Sequence, residues 1–270
     1  MSCERLRVGE VVIDVVTREA VLAQVDQALR GDGPRLVLTS ANLDHLHHFA
    51  TGDRVLPSGP SGEAGRWLWW CLLDGRPVVR RARRLLSRPV EGAPGSDLLG
   101  PVLERAAARA ARVGLVGGSA ATRAAWETQL SERYPELVVA GTWQASWSRL
   151  DDEPGYAATL AEAVAAAGVD VLVVSLGKPR QEEWLRDNVA RTGALVALPF
   201  GSAVDYVVGT ATRPPSWTRR AGIEWLYRLV REPRRLARRY AVEGPPALRL
   251  LWRETRVEGT EGIGGAPDPT

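Results

Sequence analysis

Residues 170–175 read Asp-Val-Leu-Val-Val-Ser, with four consecutive apolar positions and no polar alternation. A strand wetted on one face alternates, whereas one buried on both faces does not. Residues 113–116 and 194–198 have the same character, and helix-forming stretches lie between the three. This alternation of fully apolar strands with helices predicts an α/β fold, a parallel sheet covered on both faces. Earlier in the chain, residues 11–16 read as a strand, with Thr17 able to cap a helix reaching about Leu29. A strand at 36–39 leads into Ser40-Ala41-Asn42 and a short helix carrying Asp44, His45, His47 and His48. The apolar run 67–73 ends on Asp74-Gly75, and helices are predicted over 78–86, 97–109 and 156–167. Ligands in parallel sheets bind outside the carboxyl ends of the strands. Asn42, Asp74, Gly117 and Gly177 each follow a predicted strand, so they are expected to converge on one crevice.

The charge is unevenly spread. Residues 210–256 hold 12 arginines against four acids, a balance of +8, while the remaining 23 basic and 28 acidic residues give −5. A basic segment on an acidic body points to an anionic partner: nucleic acid, anionic lipid or a phosphorylated substrate. Lys178 is the only lysine among the 35 basic residues. Two cysteines, Cys3 and Cys71, make no disulfide framework and suit a reducing cytosol. No apolar run approaches the roughly 18 residues needed to span a bilayer. The expectation is a cytoplasmic protein, soluble or bound to the inner membrane surface, whose oligomeric state is open and allows a homo-oligomer. The division expected is a core at 1–209, a basic helical appendage at 210–256 and a disordered tail at 257–270, its polar, glycine-rich sequence starting near Glu258.

Several residue groups carry chemistry. His45 and His48 would share a helix face that could suit a metal, but no other ligands obviously complete the site, and a solvated or substrate-facing helix is the favoured reading. Asp151-Asp152-Glu153 reads as a surface turn. Gly117-Gly118-Ser119 would let a phosphate approach the next helix. Gly177-Lys178-Pro179-Arg180-Gln181-Glu182-Glu183 packs polar groups into a helix's first turn, where Glu182 and Glu183 have a capping role as the plain alternative. Asp74 is placed to act as a general base, with a turn or cap aspartate as the plain alternative.

In order, Ser40-Ala41-Asn42-Leu43-Asp44-His45, Asp74-Gly75, Gly95-Ser96-Asp97, Gly114-Leu115-Val116-Gly117-Gly118 and Gly177-Lys178-Pro179-Arg180-Gln181-Glu182 form a pattern. Arg213-Pro214-Pro215-Ser216-Trp217, Gly222-Ile223-Glu224-Trp225-Leu226-Tyr227-Arg228-Leu229 and Glu232-Pro233-Arg234-Arg235 complete it. The chain resembles the WecG/TagA/CpsF glycosyltransferases over about residues 8–242. That resemblance implies a Rossmann-like parallel sheet core with helices on both faces, plus a basic helical C-terminal appendage. It implies an inverting enzyme that moves an N-acetylmannosamine-like sugar from a UDP-sugar to a polyprenyl-diphosphate-linked acceptor, with no cofactor and no metal.

By the same resemblance Asp74 matches the catalytic base, and Asn42 and Gln181 match residues lining the sugar and diphosphate site. Asp205 matches an aspartate near the nucleotide, and Arg228, Arg235 and Arg238 match arginines that close over the site. Ser40, Gly117, Gly118, Gly177 and Arg213 join the expected substrate-binding set. The chain departs from the pattern at Glu91-Gly92-Ala93, where Gly92 replaces an arginine, at Ser40, where threonine is common, and in a longer stretch between Asn42 and Asp74. Trp217, Trp225 and Trp252 are candidates for an anionic membrane interface. Three other readings are a catalytically weakened UDP-sugar-binding protein, a family member acting on a different, non-lipid acceptor, and a nucleic-acid-binding module. No nucleic-acid recognition motif is present, and no nucleic-acid partner is expected.

Overall fold

The computed structural model describes residues 2–215, 217–218 and 224–262, and places ten strands in one sheet. In chain order these are β1 (Ser2–Val8), β2 (Val11–Val15), β3 (Arg35–Ala41), β4 (Gly59–Ser61), β5 (Trp67–Leu73), β6 (Arg112–Gly117), β7 (Val138–Trp143), β8 (Val171–Ser175), β9 (Val196–Leu198) and β10 (Arg256–Gly262). Across the sheet the order is β10-β1-β2-β5-β3-β9-β8-β6-β7, with β4 alongside β5. From β2 to β7 every pair on that path is parallel, and β1 pairs antiparallel with both β2 and β10. The fold class is therefore α/β, as the apolar strands predict.

The described helices are α1 (Arg18–Arg30), α2 (Leu43–Phe49), α3 (Arg76–Leu86), α4 (Gly95–Ala107), α5 (Ala120–Arg133), α6 (Trp147–Asp152), α7 (Tyr156–Ala166), α8 (Arg180–Asn188) and α9 (Gly201–Val207). They continue with α10 (Glu224–Arg231), α11 (Pro233–Arg238), a π-helical turn (Arg239–Glu243) and α12 (Gly244–Glu254). Thr17 caps α1 by accepting from the Ala20 amide, and Gly31 ends that helix at φ 75°.

The period of two explains why the strands carry no polar face. On β8, Val171 and Val173 pack into one buried cluster and Leu172 and Val174 into another. On β3, Leu36 and Leu38 join the first cluster and Val37 the second. The first lies under α1, α4 and α5, and the second under α7 and α8. A third, centred on Leu6, Ile13, Phe49 and Val78, takes in Ala247 and Leu251 of α12.

Two sequence expectations change here. Disorder from Glu258 is corrected over residues 258–262, which lie in β10 and pair with β1. That pairing joins the two ends of the chain, and no local pattern announces it. Residues 263–270 lie outside the described residues. The acidic run is also corrected: Asp151 and Asp152 end α6 rather than forming a turn, and Arg180 pairs with Asp151 at 2.6 Å.

Candidate active site

The two halves of the chain meet where β3 pairs with β9. Because the inner strands are parallel, the segments leaving β3, β5, β6, β8 and β9 emerge on one edge of the sheet. There the Asp74 backbone N–H donates to the Ala41 carbonyl at 3.1 Å, tying the end of β5 to that of β3. Asn42 caps α2, its Oδ1 accepting from the His45 amide at 3.0 Å. This leaves Nδ2 as the donor that reaches Asp74 Oδ2 at 2.9 Å. Asp74 does not cap the helix that follows it, since Gly75 stands between them at φ 76° and α3 has no side-chain cap. Among the described residues no donor meets Asp74 Oδ1.

Behind Asn42 lies a buried polar cluster. Lys178 Nζ donates to the Ser40 carbonyl at 2.9 Å, stands 3.1 Å from His45 Nδ1 and pairs with Glu182 Oε1 at 3.2 Å. His45 is 1% exposed, so the expectation of a solvated or substrate-facing helix is corrected at this residue, while His47 and His48 are half-buried. Its Nε2 lies 3.5 Å from Cys71 Sγ. With Nδ1 facing an ammonium, the neutral imidazole carries its proton on Nε2. Burial first, then the Lys178 charge, holds His45 well below the usual histidine range. Burial pushes the Cys71 thiol up to about 12 and raises Glu182 as well, against the pull of Lys178. Glu182, in the first turn of α8, is fully buried and also paired with Lys178, so its place there is more than that of a solvated cap. Glu183 pairs instead with Arg54 at 3.2 Å.

Gln181, expected to line the substrate site, is 3% exposed and lies beneath the surface. Its Nε2 donates to the Pro199 carbonyl at 2.6 Å and to Glu182 Oε1 at 3.1 Å, so the amide joins the start of α8 to the end of β9. Gly177 has φ 77° with open space around it, and Ser40 is buried. Gly117 is required by packing. At φ 88°, a Cβ there would stand 2.3 Å from the carbonyl oxygen of Ser175, its partner on β8. Gly118 follows at φ 73° and leads to Ser119, which caps α5 by accepting from the Thr122 amide at 3.0 Å. Thr122 Oγ1 donates to Asp205 Oδ1 at 2.9 Å, bringing Asp205 to the α5 N-terminus beside the glycine turn.

The appendage arginines divide. Arg213 forms an ion pair with Asp97 of α4. The side chains of Arg228 and Arg235 lie outside what is described. Arg238 is 82% exposed at its side chain and pairs with Glu243 at 3.3 Å. The neighbouring Arg239 reaches Asp44 on α2 at 3.2 Å, two residues from Asn42. Nothing in the Arg238-Arg239 doublet distinguishes the two, and only the π-helical turn sets which one faces α2. At Gly92, where the resembling family has arginine, a Cβ would lie 3.0 Å from Val79 Cγ2 and 3.4 Å from the Leu73 carbonyl oxygen, so the turn is packed tightly around a glycine. Among the described residues no three His, Cys, Asp or Glu side chains are grouped to hold a metal.

The sheet thus holds the Asp74 carboxylate at the carboxyl edge after β5, and the glycine turn with the capped helix α5 along the same edge after β6. The sequence model of the WecG/TagA/CpsF glycosyl transferase family matches residues 6–260, nearly the whole chain, and the chain belongs to that family. It is a glycosyltransferase. Among characterised proteins it is similar to an N-acetylglucosaminyldiphosphoundecaprenol N-acetyl-beta-D-mannosaminyltransferase of Staphylococcus aureus (strain MW2). The two are 27% identical over 203 residues, 75% of each chain.

Proposed function

We propose that this protein transfers an N-acetylmannosamine-like hexosyl group from UDP to a polyprenyl-diphosphate-linked N-acetylglucosamine, inverting the anomeric centre, in the synthesis of a cell-envelope polymer. The observation that carries the reading is the Asp74 carboxylate, held by Asn42 at the sheet's carboxyl edge in a chain of this family. Asp74 takes the proton of the acceptor hydroxyl. That oxygen forms the new bond to the anomeric carbon while the bond to the UDP oxygen breaks on the opposite face. The glycine turn at Gly117-Gly118 and the N-terminus of α5, with Asp205 beside it, form the nucleotide end. Fixed cations meet the charge on the leaving diphosphate without a metal, and the appendage arginines Arg228, Arg235 and Arg238 are assigned to this, with Arg239 added by its ion pair with Asp44 of α2. Gln181 serves by holding the α8–β9 junction.

The acceptor's lipid end fits a peripheral position on an anionic, cytoplasmic membrane face. Among the described residues no helix is long and apolar enough to cross a membrane. Trp225, Leu226 and Val230 of α10 are exposed, as is Trp217, among the arginines of the appendage. The basic surface extends to α3, whose 11 residues hold five arginines and no acid. Trp252 of α12 lies against Arg81 and Arg84 of α3, at 5.3 and 5.9 Å.

The test is turnover of a UDP-sugar panel with a short-chain, water-soluble diphosphate-linked N-acetylglucosamine, with and without EDTA. The expected result is one UDP released per inverted glycosidic bond, unchanged by EDTA. Binding of UDP-sugar without transfer would overturn the enzymatic reading, and activity lost to EDTA and restored by manganese would overturn the metal-free one.

A further inference from the structure

We propose that Lys178, the chain's only lysine, is a positioning residue for the Asp74 carboxylate. It acts through His45 and Asn42 rather than by touching substrate. The proposal rests on the reading of Asp74 as the base. A lysine in a glycine-containing turn at a strand's carboxyl end would ordinarily be assigned to a phosphate, and the geometry speaks against that. An ammonium has three protons. Nζ hydrogen-bonds the Ser40 carbonyl at 2.9 Å and His45 Nδ1 at 3.1 Å, and forms an ion pair with Glu182 Oε1 at 3.2 Å. The side chain is 11% exposed, so the ammonium faces into the protein rather than out to a phosphate.

Those partners belong to β3, α2 and α8, so one cation ties together three elements around the crevice. Two lead to Asn42. Ser40 lies two residues before it on the same chain. His45, held at its ring by Lys178, directs its backbone N–H to Asn42 Oδ1 at 3.0 Å. That bond fixes the amide orientation, so Nδ2 and not Oδ1 faces Asp74 Oδ2 at 2.9 Å. The order of donors from Lys178 to Asp74 thus settles which carboxylate oxygen is engaged and leaves Oδ1 for the acceptor proton. Glu182 supplies the opposite charge that a buried ammonium requires.

Lys178→Met alone would strand a buried carboxylate, so the test pairs it with Glu182→Gln. The pair is made in the wild-type chain and in Asn42→Ser, which keeps a helix cap while removing the amide that reaches Asp74. With the soluble acceptor, the pair is expected to lower kcat about tenfold or more, the scale of a misplaced catalytic group, with KM for the donor changed less than about threefold. In the Asn42→Ser background the same pair should change kcat less than about twofold, because its route to Asp74 is already cut. An equal loss in both backgrounds would overturn the proposal, as would a raised donor KM with kcat unchanged, the signature of a lost phosphate contact. Failure of the Asp74 reading shows separately, as full turnover in Asp74→Asn. If the pair does not fold, selective 15N-lysine labelling of the wild-type protein gives a single side-chain signal for the whole chain. A slowly exchanging ammonium supports the enclosed geometry, and one exchanging like free lysine overturns it.

Discussion

His45 should make this protein acid-sensitive, by an amount set by its burial. The ring sees Lys178 at Nδ1 and Cys71 at Nε2, stacks against Phe49 with ring centres 4.7 Å apart, and has Asp44 and His48 on its own helix. Burial and Lys178 both favour the neutral form, so its folded pKa lies well below 6.5. Below 6.5 the unfolded chain takes up a proton that the folded chain refuses, so stability present above that pH is lost as pH falls. Each pH unit below 6.5 then costs about 1.4 kcal/mol until the folded ring itself protonates. Between pH 7.5 and 5.5 the loss is about 1.4 kcal/mol, or roughly 3–6 °C in Tm for a chain of this size. Glu182 works in the opposite direction, because a raised carboxyl pKa favours the folded state on acidification. His48, also lowered by burial, adds to the loss. Comparison with His45→Asn, which keeps an acceptor for Lys178 but does not titrate, isolates the single ring. Urea unfolding of both proteins at pH 7.5, 6.5 and 5.5 should show wild type losing stability faster than the variant by that amount. Parallel pH profiles would refute the reasoning.

Asp74→Asn is expected to keep UDP-sugar binding and to lose turnover by about 100-fold or more, the usual scale of base catalysis, as measured by UDP release. Near wild-type turnover in the folded variant would remove Asp74 from the mechanism. Because α12 and β10 belong to the core and the sheet, the appendage is tested by substitution: Arg228→Ala should spare most vesicle binding, because one charge contributes only about 1 kcal/mol. The same single change should sharply reduce turnover, and added salt should weaken vesicle binding without that selectivity. Transfer by Arg228→Ala at the full rate would remove that arginine from the catalytic set.

Local sequence determined the parallel, doubly covered sheet, because a strand apolar at every position can be satisfied only by cover on both faces. It also placed Asn42, Asp74, Gly117 and Gly177 at strand ends, since turn chemistry is local and parallel strands put their carboxyl ends on one edge. The buried role of Gln181 and Glu182 was not legible. A polar first turn reads as solvated, and only the approach of α8 to β3 and α2 brings Lys178 to neutralise Glu182 and to face His45. The choice of Arg239 over Arg238 against Asp44, and the pairing of β10 with β1 across nearly the whole chain, were equally invisible. Sequence periodicity reports which face of an element is buried. Which partner it is buried against depends on contacts between residues far apart in the chain, and those only the tertiary structure decides.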